Sequence, residues 1–419
     1  MSDQAITPAS TALSAELRLG NGIVLRNRLA KAATSEHLAD RHGAPTPQLI
    51  EAYRRLAASG AGLLISGNVM VDGASLEARR NVVIEDDRHL PQLSRWAAAT
   101  EGTGARFLLQ LSHPGRQTMR GLSVAGRAHD VVAPSAVPLA IGGRMFRPPR
   151  ALTEPEILDV VGRFGTAARV AAEAGFAGVE LHAAHGYLIS QFLSPLVNRR
   201  SDRWGGPLAN RMRFLLEIVR AVRAQTPDSF LIAVKLNSAD FQRGGFDAED
   251  ARDVAVALER EGVHVIELSG GTYENVAVVE PPRASTASRE AYFLEYAEQL
   301  AHALTVPLML SGGFRTRSGM TAALESGAVD IVGLARPITH EPDFPRRILD
   351  GSTETSLARP QRVGVKLVDD LLNSAWHQQQ IARLGRGKPV RPNRRPAVAL
   401  AIAVLTELRD GVSARFPRP

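Results

Sequence analysis

Apolar residues in this chain gather in short runs separated by longer stretches of helical spacing. Buried strands are predicted at residues 23–29 (continuing through residue 33), 62–65, 106–111, 178–181, 231–236, 263–268, 308–310 and 331–332, since each run is short, apolar and bounded by small or polar residues. Between them, residues 48–58 place Leu49, Ile50, Tyr53, Leu56 and Ala57 at helical spacing, and Gly60 ends that helix. Further helices are predicted over residues 89–100, 209–224, 248–260, 289–304 and 318–326. Thr153, Glu154, Pro155 and Glu156 have the form of a capping box and start a helix that runs to Ala174 and stops at Gly175.

Eight strands alternating with helices predict an α/β fold, a (β/α)₈ TIM barrel. A doubly wound sheet alternates in the same way, but it normally carries a glycine fingerprint after its first strand, and residues 32–35 contain no glycine. Residues 1–350 are therefore read as the barrel. The Pro- and Gly-rich segment 114–150, after the third strand, is too long for an ordinary connection and is expected to be a lid or small subdomain over one mouth. Residues 351–419 leave the barrel rhythm: 363–384 reads as an amphipathic helix, followed by a basic, Pro-rich turn and a last apolar segment. This extension is expected to pack across the barrel base or onto a neighbouring subunit, so a homo-oligomer is compatible with it.

Composition narrows the classes. A chain of 419 residues, 44% hydrophobic, can bury a large core. It has no cysteine, which excludes disulfides, thiolate metal sites and cysteine-ligated iron–sulfur clusters, so redox chemistry needs an organic cofactor or another metal. The formal charge of +7 comes from scattered arginines and a basic tail (Arg383, Arg386, Lys388, Arg391, Arg394, Arg395), while aromatics are 5%, which argues against nucleic-acid binding. The N-terminus lacks the form of a secretory signal, and the longest apolar run, 397–405, is far short of the ~20 residues a membrane helix needs. A cytoplasmic protein without a membrane span is expected.

Strand ends are where such a barrel keeps its chemistry. The seventh and eighth end in Ser311, Gly312, Gly313 and in Ala335, Arg336. Glycines let backbone N–H groups approach an anion, and a guanidinium offers a planar fork of donors, so a phosphate site is expected there; the plainer reading is tight βα turns and a surface ion pair. Gln110 and Lys235 end the third and fifth strands and would look into the same mouth. The amide suits a heterocycle edge and the ammonium an electron-rich ring, provided each buried group finds partners. After the fourth strand come His182, His185 and Tyr187. Two imidazoles three residues apart, side by side on a helical turn, could each present an N–H to one carbonyl oxygen, with Tyr187 as the acid. The alternatives are core histidines or a metal; zinc would usually want a third ligand, no obvious carboxylate accompanies the pair, and no metal is assigned.

Taken together, HAAHGYL over residues 182–188, SQFLSP over 190–195, NRRSDRWGG over 198–206 with Asn210 and Arg211, QLSHPGR over 110–116, and the endings at 311–313 and Arg336 resemble the Old Yellow Enzyme family of flavin-dependent ene-reductases, the NADH:flavin oxidoreductases. The similarity covers about residues 15–350. It implies an FMN across the barrel mouth and NADH or NADPH as reductant. By that resemblance Ala32, Ala33, Thr34 and Ser35 edge the ring, Asn68 lies near it, Gln110 meets its pyrimidine edge, and Lys235 sits near N1 and the C2 carbonyl. Gly312, Gly313, Ala335 and Arg336 would hold the phosphate. His182 and His185 would bind the substrate carbonyl, Tyr187 would donate a proton, and His37 takes the place of a substrate-contacting tyrosine.

The chain departs from many members at Ala33, Thr34 and Ser35, where the hydroxyl is kept, and at Lys235, where many carry arginine. The branch with a four-cysteine cluster is excluded by composition. The implied activity is ping-pong reduction of the C=C bond of an enone, enal or similar activated alkene. The rival readings are a flavin-dependent dehydrogenase acting on an amine, alcohol or ketone, and a non-catalytic flavin-binding module. Residues 198–211 are expected to buttress the loop that carries His182, His185 and Tyr187.

Overall fold

The computed structural model describes residues 12–20, 22–120, 122–124, 129–140, 146–271, 290–358, 366–391, 395, 397–399 and 401–402. Its centre is a closed barrel of eight parallel strands: β1 (Leu29–Lys31), β2 (Leu63–Met70), β3 (Arg106–Ser112), β4 (Gly178–Ala183), β5 (Leu231–Asn237), β6 (Val265–Ser269), β7 (Leu308–Ser311) and β8 (Ile331–Leu334). Each pairs with the next in sequence, and β8 pairs with β1. Nearly every strand residue is buried, as expected for strands covered on both faces.

Outside the barrel lie α1 (Pro47–Ala57), α2 (Leu90–Ala97), α3 (Glu154–Glu173), α4 (Leu188–Leu193), α5 (Arg213–Gln225), α6 (Ala248–Arg260), α7 (Leu294–Ala301), α8 (Arg317–Glu325), α9 (Arg336–His340), α10 (Phe344–Leu349) and α11 (Lys366–Leu384). Their apolar faces form one continuous core with the outward strand positions: Leu49, Tyr53 and Leu56 of α1, for example, join Phe107 and Trp96. The predicted helix 289–304 is shorter, and residues 272–289 lie outside the described residues.

The predicted first strand divides in two. Val24–Leu25 pairs antiparallel with Leu17–Arg18, and the barrel strand starts only at Leu29. Asn27 makes the break: its Oδ1 accepts from the N–H groups of Leu29 (3.1 Å) and Gly62 (3.0 Å), and its Nδ2 donates to the Gly60 carbonyl (2.9 Å). Such local side-chain bonds compete with strand continuation. Leu17, Leu19 and Leu25 then pack against the inward-facing Ala30, Leu63, Leu108, Leu231, Val265 and Ile331, so this hairpin plugs the barrel interior.

The segment after β3 begins with a 3₁₀ turn at Gly115–Gln117 and contains a parallel pairing of Val132–Ala133 with Arg150–Ala151. Parts of that segment (121, 125–128 and 141–145) and, in the basic tail, residues 392–394, 396 and 400, with 403–419, lie outside the described residues. The described part of the extension does not cross the barrel base, which the hairpin occupies. Instead α11 lies along α1, with Gln48 donating to the Ala382 carbonyl at 2.9 Å, and Trp376 stacks on His340 of α9 (centroids 5.2 Å apart) at the opposite mouth.

Candidate active site

Side chains in a strand alternate faces, and at the C-terminal ends of β3 to β6 the inward set is polar. Glu180 and His182 of β4, Lys235 of β5 and Glu267 of β6 fall in register across neighbouring strands, with Gln110 of β3 opposite Glu180. All are buried. Lys235 Nζ lies 2.7 Å from Glu267 Oε1, and Gln110 Nε2 donates to Glu180 Oε2 at 2.6 Å. Burial and the neighbouring Glu267 push Glu180 well up, so it holds its proton. Burial opposes charge on Glu267 as well, but the ammonium of Lys235 keeps it below the ordinary carboxylate value. Lys235, despite burial, is held above its ordinary value by Glu267 and Glu180. Gln110 and Lys235 thus find the partners that burial demands, and the two partner carboxylates are residues the sequence reading did not single out.

A β-bulge between Ile65 and Asn68 on β2 turns Asn68 into this mouth. Glu36 bonds the Gly67 N–H at 2.8 Å and the Tyr53 hydroxyl; Tyr53 and Lys31 join outside the strand, with Lys31 Nζ reaching the Ile65 carbonyl at 2.8 Å. Lys31 is lowered to about 8 by burial, against the charge of Glu36.

His182 and His185 do not lie side by side on a helical turn. His182 is still in β4, and His185 follows in the left-handed region (φ 62°), while α4 starts only after Tyr187. An extended strand would carry residues three apart to opposite faces, so the reversal at His185 is what brings the rings together. They meet edge to face, 5.1 Å between centroids, with His182 Nε2 and His185 Nδ1 3.0 Å apart. A non-glycine residue held there costs about 1–3 kcal/mol. The conformation is secured by Asn237, which accepts from the His185 N–H at 3.1 Å, and by Ser269 Oγ at 2.8 Å from Nε2.

Hydrogens can be assigned along this chain from one end. Asn68 Nδ2 donates to Glu77 Oε2 at 2.7 Å, so Asn68 Oδ1 is an acceptor and His182 Nδ1, 2.7 Å away, carries a hydrogen. Neutral His182 then has a bare Nε2, and the hydrogen between the rings belongs to His185. Burial, then the positive Lys235, keeps both imidazoles neutral, His185 down to about 3. The neutral pair therefore offers one N–H to a ligand, where the sequence suggested two.

Glu77 was not anticipated. This buried carboxylate receives the hydroxyls of Tyr187 and of Ser35 (2.7 Å), the Asn68 amide, and Asn81 (3.4 Å), and it faces His37 Nε2 at 3.8 Å. It ties together Ser35, His37, Asn68 and Tyr187, which sequence reasoning had placed at one site separately. Its local signal, a lone acid before two arginines, is indistinguishable from a surface charge. Burial alone would raise Glu77, yet the nearby His37, with the hydroxyls of Tyr187 and Ser35, holds it below the ordinary value.

The loop under this cluster is braced from behind. Gln191 Nε2 donates to the carbonyls of Gly186 (2.7 Å) and Pro114 (3.0 Å), Asn198 Nδ2 to those of Phe192 (2.8 Å) and Trp204 (2.7 Å), and Arg211 to Leu193 while pairing with Asp250 at 3.0 Å. The direct bond to the loop thus comes from Gln191, while Asn198 and Arg211 hold the end of α4, the helix that follows it.

From this polar end a cleft of about 1010 Å³, counting its open mouth, runs to the ends of β7 and β8. Ala32, Ala33, His185, Lys235 and Ser269 line one part, and Gly312, Gly313, Ala335, Arg336, His340 and His377 the other. Gly312 and Gly313 adopt φ of 121° and 90°, which L side chains rarely allow, and a Cβ on Gly313 would meet the Tyr292 ring at 2.8 Å. Arg336 has no carboxylate partner among the described residues, and Thr34 Oγ1 is buried without one. His377, from the extension, bonds Thr339 Oγ1 at 2.6 Å and is held down to about 3 by burial, then by Arg336 and His340. A long cleft with a cationic, glycine-lined end and a neutral, hydrogen-bonding end fits a flavin mononucleotide. Such a cleft at the C-terminal mouth of a (β/α)₈ barrel defines a flavin-dependent oxidoreductase.

The chain belongs to the NADH:flavin oxidoreductase / NADH oxidase family, whose profile matches residues 13–354. It is 37% identical over 355 residues to the NADH-dependent flavin oxidoreductase iliE of Hypocrea jecorina (strain QM6a), covering 80% of this chain and 88% of that protein. Among solved structures it is similar to the Old Yellow Enzyme homologue from Zymomonas mobilis (TM-score 0.69, 27% identity, 82% of this chain and 94% of that one). It is also similar to morphinone reductase (TM-score 0.68, 27% identity, 84% and 92%). FMN and a nicotinamide reductant come with the family. No helix among the described residues is long and apolar enough to cross a membrane.

Proposed function

We propose that this enzyme reduces the C=C bond of α,β-unsaturated carbonyl compounds at the expense of NADH or NADPH. The observation that carries the reading is the unbroken hydrogen-bonded series Ser269, His185, His182, Asn68, Glu77, Tyr187, whose first two members line the cleft. It supports a carbonyl-binding donor and a phenolic acid acting together, as conjugate reduction requires.

Ala32, Ala33, Thr34, Ser35, Asn68, Gln110 and Lys235 are assigned to the ring, and Gly312, Gly313, Ala335 and Arg336 to the phosphate. When bound, FMN accepts hydride from the nicotinamide and returns it to the alkene. Lys235 faces the ring edge with its charge maintained by Glu267. The Nδ1–H of His185 turns from His182 to the substrate oxygen and stabilises the negative charge that grows there. His182 offers a second N–H only if its ring turns away from Asn68. Tyr187 gives its hydrogen to Cα, and His37 closes the outer side of the substrate. Because the reductant is an intracellular coenzyme, we place the enzyme in the cytoplasm.

Anaerobic stopped-flow measurements test this in two stages. NADH or NADPH is expected to bleach the flavin, and 2-cyclohexenone to restore its colour; Tyr187→Phe is expected to slow the second stage on the order of a hundredfold relative to the first. Bleaching by amines or alcohols but not by nicotinamides would point instead to a dehydrogenase working in the opposite direction.

A further inference from the structure

The structure makes Tyr187 a poor acid as it stands. A phenol has one hydrogen, and that hydrogen is directed at Glu77. If Tyr187 nonetheless released its proton, a phenolate would be left against a buried carboxylate, two anions in contact where water screens them little. Both obstacles vanish when a proton is delivered to Glu77, which rests as a carboxylate. The carboxylic acid then donates to the phenol oxygen, and the Tyr187 hydrogen is free to leave.

A route exists to load that proton. His37 Nε2 lies 3.8 Å from Glu77 Oε1, one small rotation short of a hydrogen bond, and is otherwise without a hydrogen-bond partner among the described residues. Its side chain is 25% exposed, whereas that of Glu77 is 7% exposed, so His37 is the link between Glu77 and solvent.

We propose that Glu77 is a proton-relay residue: it receives a proton from solvent through His37 and passes it to Tyr187 as Tyr187 protonates the substrate. This rests on the alkene-reduction reading above. Hydride from the reduced flavin supplies the electron pair for the new bond at Cβ. The Tyr187 O–H bond breaks as the bond to Cα forms, and the Glu77 proton moves to the phenol oxygen, so Tyr187 is never left charged. Glu77 ends as a carboxylate, and the next proton reaches it from solvent by way of the His37 ring. Glu77 does not touch the substrate; it acts through Tyr187. The titratable groups facing it are His37 and Tyr187, with His185 acting through space and His182 through Asn68.

The test follows reoxidation of the NADH-reduced holoenzyme by 2-cyclohexenone across pH 5 to 9, in wild type, Glu77→Gln and Tyr187→Phe, with ferricyanide as an acceptor that takes no proton at carbon. Glu77→Gln keeps the size and most hydrogen bonds of the site but cannot relay a proton. It is expected to slow cyclohexenone reduction on the order of a hundredfold and to flatten its pH profile, without a matching loss with ferricyanide. Wild-type rate and profile in Glu77→Gln, with Tyr187→Phe slow, would overturn the relay while the alkene-reductase reading stands. Wild-type rates in Tyr187→Phe would overturn the relay and the acid role of Tyr187 while alkene reduction stands; no reaction of wild type with the enone would sink both. Should Glu77→Gln not retain FMN, His37→Ala decides: a slowed reaction restored by added imidazole supports the relay, and an unchanged rate and pH profile rejects it.

Discussion

A methyl group on Gly67 would collide with the Glu36 carboxylate and the Thr34 carbonyl, and would come within 2.8 Å of Ser35 Cα. Most of these are fixed backbone neighbours, so no side-chain rotation relieves the clash. Gly67→Ala is therefore expected to displace residues 34–35, weaken FMN binding measured by flavin fluorescence quenching, and lower unfolding stability by about 1–3 kcal/mol. Nothing in the local sequence distinguishes Gly67 from other glycines at strand ends; only the approach of residues 34–36 does. The same holds for Glu77, Glu180 and Glu267. Alternation along the strands could have flagged Glu180, two positions before His182 on one face, and Glu267, but Glu77 lies in irregular chain with no period to read.

At the scale of elements, the hairpin formed by Leu17–Arg18 and Val24–Leu25 serves as the floor of the barrel. Leu25 is wholly buried in it. Leu25→Ala should cost about 2–5 kcal/mol in urea unfolding, the range for a core cavity, while the FMN absorbance of the folded fraction is expected to stay unchanged because the site lies at the other mouth. Helix and strand positions were largely legible because periodicity reports burial. Boundaries moved where a side chain intervened: Asn27 divided the first strand, and the bulge at 66–67 hid the continuation of β2 to Met70. The destination of α11 was not legible, since an amphipathic helix announces that it packs but not on what.

The whole molecule carries several buried neutral histidines, and these tie its stability to pH. His185 and His377 are lowered to about 3, and His264 to about 4, in each case chiefly by burial. In the unfolded chain they titrate near 6.5. Between these values the unfolded state binds more protons, so stability rises with pH there. The contribution is complete above about pH 6.5 and is lost as pH falls toward the folded values of about 4 and then about 3. Urea midpoints of the apoprotein should therefore drop progressively from pH 7 to pH 4. A flat profile over that interval would mean these imidazoles are hydrated or already charged in the fold.

By itself the sequence determined the barrel, the polar strand ends and the family. Each depends on periodicity or on residue types at fixed spacing, and these are properties of the linear chain. Tertiary structure alone decided how the site works. Contacts between residues far apart in sequence, such as Glu77 with Tyr187 and Lys235 with Glu267, set which groups hold hydrogens and which hold charge. The His182–His185 pair shows the division most clearly. Its spacing suggested two N–H donors, and the bond from Asn68, held in turn by Glu77, leaves one.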